Sequence, residues 1–142
     1  MFLTMKKITS IVFGIISIAF VSCGNKQQVS AEQMADSTHF AELTYIEDFY
    51  DAGTVHSGEI VKHSFEFKNT GNIPLVIKDI IPSCGCTKVD VTQKTLKPGE
   101  KAKLIVEFNS KGWFGSQYKS VTLRTNGVIR EKSATLKVNV VQ

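Results

Sequence analysis

Three cysteines occur in the 142-residue chain, and two of them, Cys84 and Cys86, flank a single glycine. On an extended backbone, residues two apart face the same side about 6.6 Å from each other, so both sulfurs point one way. Gly85 lets the backbone tighten further. Three chemistries compete for such a pair. The first is a disulfide, expected in an oxidising compartment. Closing about three residues restricts the denatured chain by only about 1.6 kcal/mol, which strained geometry can cancel, so the bond is a poor staple and an easily reduced one. That turns the disulfide into a redox candidate in which Cys84 or Cys86 exchanges with a partner thiol. The second is a soft-metal site, since paired thiolates suit Cu(I) or Zn(II). A closed zinc site takes four ligands, and the rest would have to come from His39, His56, His63 or Met34. His39 and Met34 fall in a polar stretch, and His63 shares a strand face with Phe65, as a core or rim histidine does. The third is structural: both cysteines pack as small apolar residues where the chain crosses between sheets. Lys88 would share a strand face with Cys86 and could lower a thiolate pKa.

The remaining cysteine, Cys23, belongs to the N-terminal segment. Lys6 and Lys7 precede the apolar run Ile8 to Val21, which stops at Ser22-Cys23-Gly24-Asn25. The run is too short for a spanning helix and has no charged stop-transfer flank, so residues 1–22 read as a signal peptide, starting at Met1 or Met5. Phe20-Val21-Ser22-Cys23 resembles a bacterial lipobox, in which the Cys thiol is diacylated, the bond before it is cut and the new amine is acylated. Phe20 stands where Leu is usual. One acyl chain binds membranes marginally, whereas two or three anchor stably at about 0.8 kcal/mol per buried methylene. Gly24 after the cysteine implies, by resemblance to lipoprotein sorting, an outer-membrane lipoprotein facing the periplasm. The covalent lipid on Cys23 is then the only prosthetic group expected, with Cu(I) at Cys84 and Cys86 as the competing cofactor.

Other candidate contacts are few. Trp113-Phe114, flanked by Gly112 and Gly115, suits recognition of an envelope protein or a glycan from a loop. The alternative is that they fold over one end of the domain and cover its core. Lys94, Lys97, Lys101 and Lys103 form a loose basic edge, which discourages sheet-to-sheet aggregation. Removing residues 1–22 takes away two lysines and no acid, leaving fifteen cations against thirteen acids, a net of +2. So small and dispersed a charge does not fit a nucleic-acid binder. There is no Gly-x-Ser-x-Gly elbow, phosphate-binding glycine loop or His-Glu-x-x-His motif. Glu47 and Asp48 would point to opposite faces of a strand and could not act as a dyad. A non-enzymatic protein is the expectation.

The elements that must carry these residues are strands. Residues 23–42 are polar and small and read as the lipidated cysteine and a flexible tether. From Leu43 the texture becomes short runs of period two between turn residues. Val61, His63, Phe65 and Phe67 alternate with Lys62, Ser64, Glu66 and Lys68. Ala102, Leu104, Val106 and Phe108, and later Ala134, Leu136, Val138 and Val140, repeat the pattern. Asn69-Thr70-Gly71-Asn72 reads as a turn of residues that tolerate positive φ, and Lys97-Pro98-Gly99-Glu100 as a turn with Pro and Gly at its corner. With Thr44 to Tyr50, Leu75 to Ile81, Thr87 to Val91 and Tyr118 to Thr125, the count is about seven strands. Residues 43–142 are thus expected to form an all-β, Ig-like β-sandwich.

The stretch from Phe49 to Val140 resembles a family of bacterial lipoproteins and periplasmic proteins known as domain of unknown function 1573. The resemblance rests on Phe49 through Gly53-Thr54-Val55, His63-Ser64-Phe65-Glu66-Phe67-Lys68-Asn69-Thr70-Gly71 and Ser83-Cys84-Gly85-Cys86-Thr87. It continues through Lys97-Pro98-Gly99-Glu100, Val106-Glu107-Phe108-Asn109 and Thr125-Asn126-Gly127. It implies an Ig-like fold related to ASH and major sperm protein sandwiches, and an envelope location, with no activity attached. Residues and resemblance together predict a lipid-anchored, periplasm-facing binding or structural module. The competing class is a thiol redox or copper-handling protein using Cys84 and Cys86.

Overall fold

The computed structural model describes residues 38–142. The signal peptide, Cys23 and Met34 lie outside the described residues. Nine strands follow in chain order: β1 (Leu43–Tyr45), β2 (Phe49–His56), β3 (Ile60–Asn69), β4 (Leu75–Pro82), β5 (Thr87–Val91), β6 (Thr95–Leu96), β7 (Lys101–Asn109), β8 (Gly115–Thr125) and β9 (Glu131–Val141). They form a four-stranded sheet ordered β1-β3-β7-β5 and a five-stranded sheet ordered β2-β9-β8-β4-β6. All pairings are antiparallel except β2 with β9, which run parallel.

Alternation decides which faces meet. Phe65 and Phe67 of β3, Leu104, Val106 and Phe108 of β7, Val121 and Leu123 of β8, and Leu136 and Val138 of β9 are all buried, while their sequence neighbours face out. Period-two burial on both sheets gives one core between two layers.

The strand count exceeds the expected seven for two reasons. Thr44 to Tyr50 is not one strand. β1 pairs with β3 in the first sheet and β2 with β9 in the second. The switch lies at residues 46–48, where Ile46 N donates to Glu66 O at 2.9 Å and Asp48 O accepts from Thr135 N at 2.7 Å. Glu47 and Asp48 therefore sit in a bend and not on a strand. The second addition is β6, two residues paired with Leu75 and Val76.

Two turns differ in how they use glycine. Lys97-Pro98-Gly99-Glu100 has Gly99 at φ 83° and Glu100 N bonded to Lys97 O at 3.1 Å, as a type II turn requires. Residues 69–72 turn without any positive φ. Gly71 is needed there for close approach, since a Cβ would lie 2.2 Å from Phe40 O. Asn69, fully buried, ties that turn together. Its Nδ2 donates to Ile73 O at 2.8 Å and Leu96 O at 3.1 Å, and its Oδ1 accepts from Gly71 N at 3.0 Å. The folded unit also begins before Leu43. Ala41 is buried in the core and Glu42 forms an ion pair with Lys132, so the last residues assigned to the tether belong to the domain.

The registers define two ends. The chain comes in beside residues 69–73 and Val128, where Asn72 N and Ile73 N bond to Phe40 O and Val128 N bonds to Ala41 O. Toward the opposite end Ile60 pairs with Asn109, Thr87 with Phe108 and Gly115 with Val140, while β4 stops partway along β8, where Pro82 pairs with Val121. That far end carries the connections of residues 57–59, 83–86 and 110–114.

Candidate functional site

Cys84 and Cys86 are joined by a disulfide, with Cα atoms 5.3 Å apart. Their segment carries the chain from β4 in one sheet to β5 in the other. Ser83 fastens its start: Ser83 N donates to Ser120 O at 2.9 Å, and Ser83 Oγ accepts from Ser120 N at 3.2 Å. The far side is held by β7, where Asn109 N donates to Cys86 O at 3.4 Å. Thr87, 5% exposed, places its hydroxyl 3.4 Å from Cys84 Sγ and 3.9 Å from Cys86 Sγ. Cys86 packs against the core and lines a shallow groove of about 240 Å³ with Ile60, Gly85, Lys88, Glu107 and Asn109. Lys88 thus shares the Cys86 side, facing Glu107 across β5 and β7. The pair is at once oxidised, half-buried and located at the crossing between sheets.

The other metal-ligand candidates are dispersed. His63 is stacked on Tyr50, ring centroids 3.7 Å apart, with its edge toward Phe65. Burial holds its pKa below the ordinary value, only partly opposed by Glu47. His56 pairs with Glu59 at 3.1 Å on the surface, and His39 bonds Thr38 Oγ1 at 3.1 Å. Among the described residues no three of His, Cys, Asp and Glu gather as a metal-binding group. Of the basic edge, Lys101 is paired with Glu66 at 2.7 Å, and Lys103 lines the same groove as that pair.

Trp113 and Phe114 have separate roles. Trp113, 36% exposed, lies edge-on to Phe108 with centroids 6.2 Å apart, so one side of its ring caps the end of the core, whereas Phe114 is 57% exposed. Ser110 sets this loop. Buried, it accepts from Gly58 N at 3.0 Å, its hydroxyl lies 2.8 Å from Glu59 O, and its carbonyl receives Trp113 N at 3.1 Å.

Beneath Trp113 lies Lys119, a buried lysine that no motif in the sequence marks. It is 5% exposed, with Nζ 3.5 Å from the Trp113 ring centroid and 4.8 Å from that of Phe108. Its hydrogen bond goes to Gln117 Oε1 at 3.2 Å. Burial lowers its pKa below the usual lysine value. The two aromatic faces offset part of the desolvation. The signal was present in the period: Lys119 stands two residues before Val121 and four before Leu123, on the inward face of β8.

At the scale of the fold, several solved structures are similar to this chain. A protein of unknown function from Porphyromonas gingivalis W83 aligns with a TM-score of 0.63 at 17% identity, over 81% of this chain and 51% of that one. The VesB protease of Vibrio cholerae gives 0.54 at 17% identity, over 79% of this chain and 35% of that one. An ASH/PapD-like domain of human CEP192 gives 0.52 at 10% identity, over 72% of this chain and 87% of that one. The chain thus spans about half of the bacterial protein of unknown function and about a third of the protease. At such identities the likeness concerns the fold, which is Ig-like. No curated protein matched the sequence. A family profile matches residues 43–140, nearly all of the sandwich, and the chain belongs to that family, described as Protein of unknown function (DUF1573).

Proposed function

We propose that this chain is a lipid-anchored, periplasm-facing Ig-like module of the outer membrane that binds or braces envelope partners, with acylated Cys23 as its anchor. One observation carries the reading. The chain comes into the sandwich at one end, while the disulfide, Trp113 and Phe114 lie at the other. Measured along β8 from Thr125 at the entry end, Ser120, which bonds Ser83 beside the disulfide, stands about 17 Å away, and Gly115, next to Phe114, about 33 Å away. An N-terminal anchor therefore leaves the far end facing away from the bilayer, with Phe114 exposed on a loop that Ser110 and Trp113 hold in place. A rigidly held exposed aromatic is the kind of group that anchors a protein or glycan contact. A photo-crosslinking residue at Phe114 should capture an envelope protein or glycan, and the same residue at Val128 near the anchored end should not. Equal capture, or none at Phe114, contradicts the orientation.

A second reading, thiol exchange at Cys84 and Cys86, is favoured by the formed bond. It also ranks exchange above Cu(I) handling, because a disulfide sulfur must first be reduced to a thiolate before it ligates.

A further inference from the structure

The surroundings of the disulfide distinguish its two sulfurs. Cys86 lines the groove beside Lys88 and Glu107, and Cys84 does not. The Cys86 backbone is pinned to Asn109, and its side chain rests on the core. The buried Thr87 hydroxyl lies nearer Cys84 Sγ, at 3.4 Å, and among the described residues it has no hydrogen-bond partner besides the two sulfurs. A hydroxyl can donate one proton, and a thiolate accepts it better than a disulfide sulfur does.

We infer that Cys84–Cys86 accepts two electrons from a protein dithiol by a directional exchange, the incoming sulfur attacking Cys86 and Cys84 leaving. This rests on the thiol-exchange reading above. In the first step the partner thiolate approaches through the groove and bonds to Cys86 Sγ. The Cys84–Cys86 bond breaks, and its electron pair stays on Cys84, whose thiolate the Thr87 hydroxyl receives. In the second step the partner's other thiol, as its thiolate, attacks the partner sulfur of the mixed disulfide. The partner leaves with a disulfide, and Cys86 is released as a thiolate. The two protons given up by the partner end on Cys84 and Cys86 or in solvent. Leaving-group stabilisation speeds such exchange, which makes Thr87 a positioning residue. Lys88 and Glu107 face each other, so the groove carries both signs and selects no partner by net charge.

The test uses reduced glutathione as the attacking thiol on the oxidised whole chain. Samples are quenched in acid within seconds, and the adduct is mapped by fragmenting the peptide that holds both cysteines. Glutathione on Cys86 with Cys84 free is expected. Adduct chiefly on Cys84 overturns the direction and leaves exchange standing. A bond that resists both glutathione and dithiothreitol overturns exchange itself. Thr87→Val should slow reduction by dithiothreitol about fivefold, the loss of one hydrogen bond. Thr87→Ser should restore the rate. An unchanged rate in Thr87→Val removes the hydroxyl from the mechanism, and should that variant fail to fold, the adduct map on the native chain still decides the direction.

Discussion

His63, enclosed by Tyr50 and Phe65, is neutral by preference in the folded chain because burial opposes its charge. The unfolded chain binds that proton near the ordinary value of 6.5, the folded chain only at lower pH. Stability present above 6.5 is therefore lost as pH falls through the folded value. Melting temperature should drop between about pH 7.5 and 5.5, and His63→Gln should flatten the drop. Equal slopes would place the sensitivity elsewhere. Lys119 works in the opposite range. Its pKa is depressed by burial, so the folded chain releases the proton first, and stability climbs as pH rises toward 10.5. Tyr45 opposes this above 10, since its buried hydroxyl holds its proton longer than in the unfolded chain. Trp113→Ala opens Lys119 to water and should move its pKa back toward 10.5. NMR of lysine side-chain carbons reads that shift, and an unmoved resonance would mean that Trp113 does not enclose it.

At the level of elements, the strands with clean alternation were legible in the sequence. β7 and β9 bury the four residues on each that their period assigns, because each presents one face to a single core. The sheet switch at residues 46–48 was not legible, since Thr44 to Tyr50 stays β-prone throughout and only pairing to different neighbours breaks it. β6 was missed because two residues make no period. The cysteines left three chemistries open, as spacing fixes the direction of two sulfurs but not whether they are bonded. In the sequence Asn69 reads as a turn residue, whereas in the fold it is the buried tie between three segments. Asn69→Ala removes both donors and leaves Ile73 O and Leu96 O unpartnered, a loss of about 2 to 4 kcal/mol in denaturant unfolding. Leu123→Ala, in the centre of β8, should cost a similar 2 to 5 kcal/mol by leaving a cavity. A change below about 0.5 kcal/mol at Asn69, the size of an ordinary surface substitution, would show that the hub is dispensable. By contrast the exposed pairs Arg124 with Glu131 and Lys137 with Asp51 should contribute little each.

The described residues form a sandwich with two unlike ends, and its proposed role depends on which end is tied down. The near end is closed by Ala41, Asn69 and Gly71, where the incoming chain packs too tightly for a side chain at residue 71. The far end holds the chemistry: a disulfide, a buried lysine under an indole, and an exposed Phe114. The fifteen residue steps from Cys23 to Thr38 could reach at most about 50 Å, enough to hold the sandwich clear of a bilayer surface. The proposed outward orientation of the far end depends on attachment through Cys23. The most direct measurement is the intact mass of the protein purified from the membrane fraction. A chain beginning at Cys23 and carrying the added mass of its acyl chains is expected. A chain still bearing residues 1–22, or one cut there without acyl mass, would contradict it.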